Sequence, residues 1–144
     1  MATNAVLGQG TLLQRGDGAS PENFTTVAEM LSIDGPNLAS DPVDVSHQQG
    51  VNRYRDFIQG LRQAGEVNFE CNYIPSNATQ NASTGVIADF QNATTRNWRM
   101  RFPVTPAVDY VFSAFVRSIS VQAPVDSQLK LNVTLQLSGA PTLA

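Results

Sequence analysis

Cysteine, histidine and lysine occur once each in this chain of 144 residues, as Cys71, His47 and Lys130. A single cysteine excludes an internal disulfide, and its place on the apolar parity of a strand-like segment marks a packed thiol rather than a nucleophile. His47 has Asp41 and Asp44 nearby in sequence, but an extended Val43 to His47 sends Asp44 and His47 to opposite faces, which spoils a dyad or a shared metal. No nucleophile elbow, Gly-rich phosphate loop or Cys pair is present. An enzyme, a metal site and a bound cofactor are therefore not expected. Charge is scarce as well, at 15% of residues against ~25% in typical soluble domains. Nine basic residues face twelve acidic ones, for a net charge of −3, so the basic surplus that grips phosphate is missing. No apolar run approaches the ~20 residues that span a bilayer. The opening "MATNAVLGQGT" lacks a basic n-region and an apolar h-region. A soluble chain made in the cytoplasm, with no membrane partner, is expected.

What is present is strand signal. In "GEVNFECNYIP", Val67, Phe69, Cys71 and Tyr73 share one parity, while Glu66, Asn68, Glu70 and Asn72 share the other. Such alternation predicts a strand with one face in a core. "RNWRMRFP" likewise puts Trp98, Met100 and Phe102 opposite Asn97, Arg99 and Arg101. The run "VDYVFSAFVRSISVQ" begins with Phe112, Ala114 and Val116 in phase and ends with Ile119 and Val121 out of phase, which predicts a bulge near Arg117 and Ser118. "QLKLNVTLQLSG" points Leu129, Leu131, Val133, Leu135 and Leu137 inward. Near the start, "GTLLQRGDG" and "ENFTTVAEMLSID" read as two strands of a hairpin joined through residues 16 to 21. One helix is expected from Ser83 to about Asn92, with Val86, Ile87 and Phe90 on its inner face. The chain is one domain, 1–144, with a mobile arm over about 1–9 and a long loop over about 35–57 that holds one short strand at Val43 to His47.

Some motifs have plainer explanations. Arg15-Gly16-Asp17 matches the integrin tripeptide but stands where a hairpin must turn. Five Asn-x-Ser/Thr sequons, at Asn23, Asn77, Asn81, Asn92 and Asn132, follow from an Asn- and Thr-rich composition. "RNWRMRF" mixes arginine with aromatics, but its aromatics lie on the core parity and cannot form a stacking platform for nucleic acid. Eight of the nine basic residues are arginine, whose planar fork suits ordered ion pairs.

The order of segments resembles the major tail tube protein of long, non-contractile phage tails. The likeness runs from "GTLLQRGDG" through "FTTVAEMLSIDGPNLASDPVDVS", "FIQGLRQAGEVNFECNYIP", a helix and "WRMRFP" to "FVRSISVQAPVDSQLKLNVTLQLSG". Its most specific pieces are Gly60-Leu61 with Gly65-Glu66-Val67, the Ile33-Asp34-Gly35-Pro36 turn with Asp44-Val45 after it, and Ser138-Gly139. Gln63 departs from the family, which often has an acidic residue there. The resemblance implies a mainly β protein, a two-sheet β-sandwich or barrel with one short flanking helix. It implies self-assembly into hexameric rings that stack into a virion tail tube around a tape-measure protein, bounded by tail terminator and tail-tip proteins and assembled in the host cytoplasm. DNA would cross the lumen without specific binding, which favours a neutral or acidic lining. Two sets of residues then become lumen or subunit-interface candidates: Glu66, Asn68, Glu70 and Asn72 on one strand, and Asn97, Arg99 and Arg101 on another. Arg53, Tyr54 and Arg55 would dock on a neighbouring ring. The alternatives are a type VI secretion inner-tube-like hexamer and a glycan-binding β-sandwich, which would need exposed aromatics.

Overall fold

A computed structural model describes Ala5, residues 7–49 and residues 53–143. Most of the arm expected over 1–9, and the apex of the 35–57 loop, lie outside the described residues. The elements are β1 (Leu12–Gly16), β2 (Phe24–Thr26), β3 (Met30–Asp34), β4 (Ala39–Asp44), β5 (Phe57–Gln63), β6 (Glu66–Asn72), α1 (Val86–Gln91), β7 (Thr95–Phe102), β8 (Val108–Gln122), β9 (Lys130–Leu137) and β10 (Thr142–Leu143). They form two sheets, as the mainly β expectation required. The larger has the order β2-β1-β7-β8-β9-β6-β3, with β10 beside β8; the smaller is the β4–β5 ribbon.

Parity explains the core. Val67, Phe69 and Cys71 of β6 stand opposite Leu135, Val133 and Leu131 of β9, and all six are buried. Trp98 and Met100 of β7 join Phe112, Ala114 and Val116 of β8 and Leu13 of β1 in the same cluster. Strands β6 and β7 are separated in the sheet by β8 and β9. Even so, the rings of Phe69 and Trp98 lie 6.4 Å apart. The large sheet therefore curls around its own apolar face, as the right-handed twist of strands permits. The predicted bulge is present, because the β8–β9 register shifts between Val116 and Ser118 and then pairs Ile119 with Val133 and Val121 with Leu131.

Four expectations change. The segment "ENFTTVAEMLSID" is not one strand: Glu29 adopts φ 50°, so β2 stays with β1 while β3 crosses to pair with β6. Fully buried Gln80 holds that crossing, donating from Nε2 to the carbonyls of Ala28 and Asn72, both at 2.9 Å, and accepting from the Ile74 N–H at 2.7 Å. Leu129 is exposed because β9 begins one residue later, in line with the turn rather than the core. The expected strand at Val43 to His47 is instead β4, which runs Ala39–Asp44 and pairs with an unanticipated β5.

The helix also turns differently. Val86 and Ala88 are buried as an amphipathic face requires, but Phe90 is exposed and Asp89, 2% exposed, points inward. Two guanidiniums draw it there. Arg15 of β1 grips the carboxylate with Nε at 2.6 Å and Nη2 at 2.7 Å, and Arg96 of β7 donates from Nε at 2.6 Å. Arg15 is thus committed to Asp89, which removes the integrin reading of Arg15-Gly16-Asp17.

Burial pushes the Cys71 thiol up to about 11, with the neighbouring Glu70 charge adding to the effect. It should therefore stay protonated and resist a thiol reagent at pH 8 in the folded chain, then react fully after unfolding in urea. Leu135→Ala should cost ~2–5 kcal/mol through the cavity it leaves, whereas the outward Thr134→Ala, which loses one exposed hydrogen bond to Asn68, should cost under about 1.5 kcal/mol; urea melts separate the two. Asp89→Ala strands two cations at one site and should cost ~3–5 kcal/mol in the same measurement.

Candidate assembly surfaces

The outward parity of β6 is joined by that of β9 into one polar face. Glu66, Asn68, Glu70 and Asn72 pair in register with Gln136, Thr134, Asn132 and Lys130. Past the bulge, Ser118, Ser120 and Gln122 of β8 extend the face beside Thr134, Asn132 and Lys130. Every outward residue on β6 and β9 is polar. Their charges are matched within the chain: Glu66 pairs with Arg117 at the bulge, and Lys130 Nζ lies 3.5 Å from Glu70. Thr134 Oγ1 donates to Asn68 Oδ1 at 2.7 Å. Asn72 Oδ1 is enclosed without a hydrogen-bond partner.

Asn97, Arg99 and Arg101 stand on the outward side of the same curled sheet, on β7. Each has a local partner that the strand register supplies. Asn97 Nδ2 donates to Glu22 at 3.0 Å. Arg99 Nε donates to Gln14 Oε1 at 2.5 Å while its guanidinium sits 4.4 Å from the Phe24 ring centroid, a cation–π placement. Arg101 forks onto Asp109 at 2.9 and 3.1 Å. That hydrogen bond holds the Asp109 carboxyl below its ordinary range. A depressed carboxyl stabilises the fold above its unfolded titration range, so this pair contributes at neutral pH and is lost as pH falls through the acid range. Within one chain the β7 cations and the β6 anions do not meet, because β8 and β9 lie between them.

The third surface is the β4–β5 ribbon, which carries Arg53, Tyr54 and Arg55 just ahead of β5. Every residue of β4 and all but Gly60 of β5 are exposed. Tyr54 is 77% and Leu61 82% exposed, and Phe57 and Ile58 are more than half exposed. At the ribbon base the backbone passes so near that side chains do not fit. Gly35, at φ 112°, would bring a Cβ to 2.5 Å from the Glu66 carbonyl, and Gly65, at φ 73°, would meet the Asn37 carbonyl; both angles favour glycine. Reasoning from parity missed this surface because its apolar residues show no single buried face. Arg53, Tyr54 and Arg55 were the part of it that the sequence offered, and the run Phe57, Ile58 and Leu61 was the signal left unread. His47 lies in the turn beyond β4, where its Nδ1 accepts the Gln49 N–H at 3.1 Å. Among the described residues no His, Cys, Asp and Glu cluster is arranged to hold a metal. Nor is any described helix long and apolar enough to cross a membrane.

No curated protein sequence matches this chain. Its fold is similar to that of solved tube structures. A protein from the virion of a native gene transfer agent particle aligns with TM-score 0.75 at 12% identity, covering 97% of this chain and 99% of that one. The SPP1 tail tube protein aligns at 0.73 and 14%, covering 97% and 80%. A chain of the sheath–tube complex of an extracellular contractile injection system aligns at 0.68 and 12%, covering 98% and 93%. The family model described as lambda phage tail tube protein matches residues 8–144. The chain belongs to the lambda phage tail tube protein family and is a structural tube subunit, not an enzyme.

Proposed function

We propose that the chain acts as a single domain that closes into hexameric rings, and that the rings stack into a tail tube around a tape-measure protein, between a terminator and a tail tip. On this reading the polar face of β6, β9 and the second half of β8 lines the lumen through which DNA passes. One observation carries the assignment: a face two strands wide with no outward apolar residue, whose charges cancel in Glu66–Arg117 and Glu70–Lys130 pairs. Subunit interfaces exclude water with apolar residues at their centre. A passing polyanion needs the opposite, a wet surface with no free cations to hold each phosphate. Sixfold closure is supported by the similar fold in a gene transfer agent tail of C6 symmetry. A tube also buries sheet edges, such as the free edge of β3, that a lone subunit leaves unpaired. The aromatics weighed for a glycan platform, Trp98, Phe69 and Phe112, are all buried, and the exposed Tyr54 and Phe57 belong to the ribbon side instead.

Glu70→Arg tests the lumen assignment by placing a second cation beside Lys130. Electron microscopy should show normal tubes, and particles carrying them should eject DNA more slowly, most clearly at low salt. A folded variant that forms no tubes would move this face to a subunit interface. Normal tubes with normal ejection would remove it from the functional map.

A further inference from the structure

We infer that the main chain between β3 and the ribbon is a site of spontaneous covalent modification, where the Asp34 carboxyl closes onto the Gly35 nitrogen and reopens as isoaspartate. An aspartate followed by glycine is prone to this closure, because no Cβ on the second residue obstructs the approach of its nitrogen to the carboxyl carbon. The chain holds two such pairs, Asp17-Gly18 and Asp34-Gly35, and no asparagine precedes a glycine. The fold treats the two pairs differently.

Asp17-Gly18 is locked. Asp17 Oδ1 accepts the N–H groups of Ala19 at 2.9 Å and Asn23 at 3.1 Å, and the Gly18 N–H, the group that would attack, donates to Glu22 Oε2 at 2.9 Å. The Ala19 and Asn23 bonds also hold the Asp17 carboxyl below its ordinary range, which depletes the protonated form whose hydroxyl must leave. Asp34-Gly35 has none of this. Among the described residues, the exposed Asp34 carboxylate accepts no hydrogen bond and joins no ion pair, and the Gly35 N–H has no acceptor. Asp34 is also the last residue of an edge strand, restrained by β6 on one side only.

The step balances without a co-reactant. Gly35 N bonds to Asp34 Cγ, and the carboxyl hydroxyl leaves as water with the amide proton. A second water then opens the ring. Breaking the new Cγ–N bond restores aspartate, whereas breaking the original bond from the Asp34 carbonyl carbon to that nitrogen routes the main chain through the side chain and adds one methylene to it. The backbone here has no slack, since a Cβ on Gly35 would lie 2.5 Å from the Glu66 carbonyl. The added length therefore loosens the base of the ribbon and leaves the body of the sheet alone.

The full chain, aged at physiological pH and temperature, provides the test. Cleavage after Glu22 and Glu29 puts the two pairs on separate fragments, and a protein isoaspartyl methyltransferase with a labelled methyl donor marks those that have isomerised. Label should accumulate on the Asp34 fragment at least about tenfold faster than on the Asp17 fragment, whose hydrogen bonds to charged acceptors must break first. In urea, where those bonds are gone, the two should label at similar rates. Asp34→Glu, which would have to close a larger ring, should remove the label from its fragment, while Asp17→Glu should leave it in place. Isomerised chains should exchange the amides of β4 and β5 faster than fresh chains, with β9 unchanged. Equal or faster labelling at Asp17 in the folded chain, or none at Asp34, would overturn the inference, and unaltered exchange in β4 and β5 would overturn its structural half.

Discussion

One carboxylate shared between two guanidiniums holds the molecule closed. Helix α1 has only six residues, too few to persist alone in water. It stays because Asp89 is anchored to Arg15 on β1 and Arg96 on β7, and in that position Val86 and Ala88 cover the open side of the curled sheet. Burying such a group is not a cheap route to stability, since desolvation offsets much of the attraction. What it supplies is placement: no apolar side chain would fix the helix against two particular strands with the same geometry. Gln80 does for the preceding segment what Asp89 does for the helix, tying the β2–β3 crossing to the end of β6 through its amide.

The molecule divides into a part that folds by its own burial and a part that does not. The curled sheet keeps Leu13, Trp98, Met100, Phe112 and the inward residues of β6 and β9 away from water, and at ~1.5–3 kcal/mol for each large side chain these dominate its stability. The ribbon has the opposite balance, with apolar groups on display and almost nothing beneath them. A protein whose task is geometric can tolerate this, because assembly completes what folding leaves open. The polar face of β6 and β9 belongs to the first part, and its internal ion pairs leave it little reason to seek partners.

Parity made most of the large sheet legible in the sequence. Val67, Phe69 and Cys71 could be assigned to a core without knowing their neighbours, and the phase change around Arg117 announced the bulge. Features that rest on distant partners were not legible. Arg15 and Asp89 are 74 positions apart; Arg96 is only seven away, but it falls on a different element, so the helix's own pattern did not signal that Asp89 would displace Phe90 from the inner side. The break at Glu29 depends on Gln80, another remote residue. The outward placement of Glu66, Glu70, Arg99 and Arg101 was readable, but their partners Arg117, Lys130, Gln14 and Asp109 follow from strand register, which one strand's pattern does not contain. The ribbon escaped for a different reason: its apolar residues are exposed within this chain, so no buried face gives them a period.

The narrow base of the ribbon has a consequence for how such chains diverge. Gly35 and Gly65 bring the backbone together at one point, and beyond it the residues of β4 and β5 add little to the core. Substitutions at those exposed positions should therefore disturb folding far less than substitutions in the sheet. The body of the fold can therefore stay constant while the ribbon varies, and the fold does outlast sequence likeness among tube proteins only 12–14% identical to this one.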